Sequence, residues 1–138
     1  MGQRRWEGDM LRILASAAFL AASAAGAYAG DAKGEWLRDD GKAKVRFAPC
    51  GGEALCGSIS WLSDPAHDPG KVGPQVFFDM KPNGENVWKG SAFNPEDGKT
   101  YSGKMTLAGD RLTTAGCVFG GLICKSMSWS RDAVENAG

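Results

Sequence analysis

The chain has 138 residues and carries 16 Lys+Arg against 16 Asp+Glu, a formal net charge of zero. With no basic run and no acidic tail, nucleic acid and anionic membrane surfaces are disfavoured as the main partner. A chain this short suits one domain around one core, and its four cysteines raise the question of redox compartment.

The first segment is not expected to belong to the fold. Residues 11–29 read LRILASAAFLAASAAGAYA, a basic start, an apolar run and an A-x-A end. This is the pattern of a secretory signal cut near Ala29. Glu7 and Asp9 are unusual ahead of such a run, and Met10 would make a more ordinary start. The run falls short of the roughly 20 residues a membrane span needs, so stable membrane insertion is not expected. The mature domain is then 30–138, placed in the periplasm or outside the cell. There, four cysteines are expected to form two disulfides. Three pairings exist. Cys50–Cys56 and Cys117–Cys124 are favoured because each pair brackets a loop containing glycine. Loops of that length contribute about 2–3 kcal/mol each in the chain-entropy picture. The spacings do not suit a zinc site.

The mature chain alternates and turns rather than coils. GEWLR predicts a first strand and DDGK a turn. In KAKVRFA, Val45 and Phe47 share one face, and Lys44 and Arg46 the other. GSISWL predicts a third strand, with Ile59 and Trp61 on one face and Ser58 and Ser60 on the other. SDPAHDPGKVGP, rich in Pro and Gly, predicts a long loop over 63–74. QVFFDM, VWKGSAF, TYSGKMTL, RLTTAG and KSMSWSR complete the set, with NPEDGK as a hairpin turn whose Gly98 supplies positive φ. No window outside the leader carries a 3.6-residue apolar period. The fold class is all-β: a small antiparallel up-and-down barrel of about eight short strands, stapled by disulfides. Such a barrel either fills its interior or holds one small ligand.

CGSISW at Cys56 and CKSMSW at Cys124 repeat one phrase. Alternation predicts two strand entrances, each fixed by a disulfide and each aiming a tryptophan inward, Trp61 and Trp129. The aromatic surplus predicts core filling, with Trp61, Phe78, Trp88 and Tyr101 as candidate lining of a small apolar site.

Chemistry is sparse. His67 is the only histidine, and Asp64, His67 and Asp68 sit in a loop that suits a solvated turn better than a metal site. No G-x-S-x-G nucleophile motif occurs, and Tyr101 and Lys104, three apart on a strand, face opposite ways. No enzyme activity, cofactor or metal is expected. The expected partner is a small apolar or amphipathic ligand, or alternatively an envelope protein contacting the 63–74 loop.

Two resemblances add to this. Gly34-Glu35-Trp36 is similar to the G-x-W of lipocalin-like barrels, and Arg131 stands where those barrels place an arginine across that tryptophan. The resemblance implies a Trp36–Arg131 cation–π closure, worth about 1–2 kcal/mol. VRFAPCGGEALCGSISWL, FNPEDGKTYSGKM and the later GC…LCKSMSWSR together resemble an exported bacterial family, domain of unknown function twenty-one forty-seven. That resemblance implies no particular activity and supplies no catalytic residues.

Overall fold

A computed structural model describes residues 31–132 of the chain. The expected leader and its expected cleavage point near Ala29 lie outside the described residues. Eight strands follow one another: β1 (Gly34–Arg38), β2 (Ala43–Gly51), β3 (Ala54–Leu62), β4 (Gln75–Pro82), β5 (Val87–Asn94), β6 (Lys99–Ala108), β7 (Arg111–Val118) and β8 (Ile123–Arg131). Each pairs antiparallel with the next, and β8 returns to β1, so the sheet closes into a barrel. Closure gives every strand a partner on both sides over at least part of its length, so neither terminal strand stands as a free edge. The predicted turns fall where the strands end. At 95–98, Asn94 Oδ1 accepts from the Glu96 N–H, the Gly98 N–H donates to the Asn94 carbonyl, and Gly98 takes a φ of 69°.

The alternation of the sequence becomes an inside and an outside. Trp36, Val45, Phe47, Met80, Met105 and Leu112 are fully buried and define the core, with Trp88 packed beside them. This half of the barrel is sealed at its end by residues 31–33. Arg131 lies with its guanidinium carbon 4.0 Å from the Trp36 ring centroid. The same guanidinium donates to the carbonyls of Lys33 and Asp31, each at 2.7 Å. Trp36 Nε1 donates to the Ala32 carbonyl at 2.9 Å. The strand-to-strand closure and the plug at the barrel end therefore share one side-chain cluster.

Both disulfides join cysteines close in sequence, Cys50–Cys56 and Cys117–Cys124. The second links residues directly opposite each other on β7 and β8 and fixes the neck of that hairpin.

One expected orientation is corrected. Trp129 points inward and is buried, but Trp61 stands outside the barrel, 41% exposed, with Lys44 Nζ 5.5 Å over its ring. The cause is a register shift. Val45 pairs with Ile59 but Lys44 with Trp61, which leaves Ser60 as an extra residue on β3. A β-bulge of this kind reverses the face of every residue after it. Ile59 therefore lies on the inner side before the bulge and Leu62 after it, and Trp61 is turned out.

A row of glycines crosses the barrel wall. Gly90 pairs with Gly103, and Gly103 with Gly116, across β5, β6 and β7. A Cβ at Gly90 would lie 2.5 Å from the carbonyl oxygens of Phe78 and Asp79. One at Gly103 would lie 2.9 Å from the backbone of Ser91. These contacts are with backbone and cannot relax by rotating a side chain. Gly90→Ala should therefore destabilise the barrel by about 1–3 kcal/mol, read as a lowered midpoint in urea denaturation, while Lys89→Ala on the outer face changes it by under about 0.5 kcal/mol.

Candidate functional site

The glycine row separates a packed half from an open one. On the packed side stand Trp88, Met105 and Thr114, paired across β5, β6 and β7. On the other side Ala92 and Tyr101 pair, and the interior opens into a cup of about 920 Å³. That lies within the roughly 300–1,000 Å³ of small-molecule sites.

Leu62, Val76, Phe77 and Ala92 line the cup wall, with Ile59 and Met127 beside them. Trp129 and Thr114 lie in its floor, where Trp129 Nε1 donates to Thr114 Oγ1 at 2.9 Å. Thr114 is the one buried polar side chain among the described residues. Among those residues no buried side-chain nitrogen or oxygen lacks a partner. The floor thus holds no unsatisfied polar atom to anchor a ligand. Recognition there rests on shape and on removal of apolar surface from water.

The rim is charged, and its charges are largely engaged with one another. Arg38 Nε donates to Asp40 Oδ1 at 2.9 Å. His67 Nδ1 lies 3.1 Å from Asp64 Oδ1, and Lys125 Nζ lies 3.9 Å from Glu96. Asp68 accepts from the Gly70 N–H at 2.8 Å. The Tyr101 hydroxyl donates to the Asp97 carboxylate. The Arg38 hydrogen bond holds the Asp40 carboxyl below its ordinary range, with help from the Lys42 backbone N–H. The Tyr101 hydrogen bond lowers Asp97, and the same bond raises the Tyr101 phenol. Carboxylates outnumber cations around the mouth, with Asp40, Asp64, Asp68, Glu96 and Asp97 against Arg38, Lys42 and Lys125. Among the described residues, no group of three His, Cys, Asp or Glu side chains converges to hold a metal ion.

The four aromatic residues singled out from the sequence do not converge. Tyr101 lines the cup. Trp88 belongs to the packed half, where it borders a separate cavity of about 250 Å³ beside Ala32 and Leu55. Trp61 stands outside, and half-buried Phe78 pairs with Ser91 away from the cup wall. The wall is formed instead by residues such as Ile59, Phe77, Ala92 and Met127, of which only Phe77 is a large aromatic. Their signal was their place on the inner face near the open end.

Fold and site together define a small closed eight-strand barrel, packed at one end and open as an apolar cup at the other. Residues 34–131 match the family model described as an uncharacterized protein conserved in bacteria (DUF2147), and the chain belongs to that family. No curated protein and no solved structure gives a match.

The Tyr101–Asp97 bond is readable by titration. A phenol whose folded pKa is raised contributes stability that is present below the ordinary tyrosine value of about 10 and is lost as pH rises through the folded value. The lowered Asp97 bounds the other side, since the bond is lost as pH falls through its folded value. Ultraviolet titration should therefore show Tyr101 ionising above the ordinary tyrosine range, and Asp97→Asn should bring that midpoint back down.

Proposed function

We propose that this protein is an exported, non-catalytic carrier that holds one small apolar or amphipathic molecule in the open cup. The observation that carries the reading is a 920 Å³ cup whose floor is apolar and polar-satisfied and whose charges are confined to its rim. A ligand fitting that distribution has an apolar body and a polar end at the mouth. The excess of rim carboxylates favours a neutral or cationic end over an anionic one. The mutual pairing of the rim's titratable groups favours binding over acid–base chemistry.

Export is supported by the two disulfides, which persist in oxidising compartments. The apolar leader ending in Ala27-Tyr28-Ala29 supports processing near Ala29 and a periplasmic or secreted location. A second reading, an envelope protein gripping the 63–74 loop, draws on Val72, which is exposed on that loop. Deleting the loop would then abolish partner capture without unfolding the barrel.

The carrier reading is tested with N-phenylnaphthylamine, an uncharged fluorophore that brightens in apolar sites. The wild-type protein should bind it. Ala92→Phe, which fills the cup, should weaken binding at least about tenfold, the equivalent of about 1.4 kcal/mol. Trp61→Ala, outside the barrel, should leave binding unchanged. Dodecyltrimethylammonium monomers should displace the probe better than dodecyl sulfate at low salt, with the gap narrowing as salt rises. Equal binding by wild type and Ala92→Phe would overturn the reading.

A further inference from the structure

The eight residues Cys117 to Cys124 read CVFGGLIC, with no charge and no hydroxyl or amide side chain. They form the tip of the β7–β8 hairpin, around a single 3₁₀ turn at Phe119–Gly121. A soluble barrel has no packing reason to end a hairpin in this way. Phe119, Leu122 and Ile123 are 74%, 86% and 60% exposed.

The backbone holds them there against its own preference. Phe119 has a φ of 54°, and Gly120 and Gly121 follow at 66° and 94°. Left-handed backbone is strained for a bulky side chain, and such strain concentrates at functional positions. Glycine at position 119 would relieve it. The Cys117–Cys124 link closes the neck of the hairpin, so the tip is presented in a fixed shape.

We propose that this tip is a membrane-docking finger that places Phe119, Leu122 and Ile123 in the interfacial layer of a zwitterionic lipid surface. The chemistry favours lipid over protein. A specific protein interface needs roughly 1,000 Å² or more. Even an aromatic side chain buries only about 150–250 Å², so three apolar residues fall short. They also lack the Trp, Tyr and Arg anchors that dominate protein hot spots. Apolar insertion at a lipid interface needs neither large area nor directional bonds, and it is expected to be weak and reversible. The carboxylate-rich rim beside the tip opposes an anionic surface, which selects a zwitterionic one. Val118 and Ile123 belong to both tip and cup wall, so docking would bring the mouth to the lipid. The docking itself does not depend on the cup being a carrier site.

The test is flotation with phosphatidylcholine vesicles, using the protein as it accumulates in a bacterial envelope, its N-terminus read by mass. The comparison is Phe119→Ser/Leu122→Ser, which changes two residues outside the cup wall. Wild type should co-float, and the double variant should lose at least about tenfold in partitioning while keeping its thermal midpoint and N-phenylnaphthylamine binding. Phe119→Gly provides a second variant that relieves backbone strain. It should fold at least as well as wild type and still float less. Equal flotation of wild type and variants overturns the proposal. So does a wild type that stays off vesicles but self-associates in sedimentation through the same residues, which would make a second copy the occupant. Failure of probe binding in the wild type would count against the carrier reading alone.

Discussion

The barrel depends on one stacked contact. Arg131, at the end of β8, lies across Trp36 in β1 and reaches past it to the carbonyls of Asp31 and Lys33. Three things are fixed together: the strand pair that closes the sheet, the buried indole, and the segment that plugs one end. The geometry favours arginine specifically. A planar guanidinium can stack on a ring and donate in its own plane, which an ammonium cannot do. With Arg131 half-buried, the cation–π contact is worth about 1–2 kcal/mol, and the two charge-assisted hydrogen bonds add to that. An eight-strand barrel closed only by the short β1 needs such a clamp, since β1 and β8 share just three paired positions.

Closure at one end explains the opening at the other. The short β1 pairs with the last residues of β8, so the earlier part of β8 and its partner β7 run on beyond it. The inner face in the closed half is filled by Trp36, Phe47, Met80 and Met105. Beyond the glycine row the small Ala92 stands at an inner position and the interior opens into the cup. The glycines permit close approach of the neighbouring backbone, which a Cβ at Gly90 or Gly103 would block. The overhanging β7–β8 hairpin then carries its apolar tip beside the mouth.

Much of this was legible in the sequence because alternation and turn chemistry agree along the whole mature chain. Val45 and Phe47 face inward, NPEDGK turns at Gly98, and the two cysteine loops staple hairpins. The orientation of Trp61 was not legible. Ser60 sits in an unbroken alternating run, and only the register against β2 reveals it as the extra residue. The cup was hidden for a related reason. Gly90, Gly103 and Gly116 are separated by equal intervals of 13 residues, yet their alignment into a row is a property of strand pairing, not of any local window. The repeated cysteine phrase misled by its likeness. Its two copies have the same residue types, but a bulge interrupts one and not the other, so Trp129 reaches the floor of the cup and Trp61 the outer surface.

The central claim is that the interior has two halves, one filled by side chains around Trp36, Met80 and Met105, the other an open apolar cup. Methyl-resolved NMR under xenon pressure tests it most directly, because xenon enters apolar space without needing a polar partner. The account predicts shifts at Ile59, Leu62 and Met127 in the cup, with Met80, Met105 and Leu112 in the closed half unmoved. Shifts spread over the closed half, or none at the cup methyls, would contradict it.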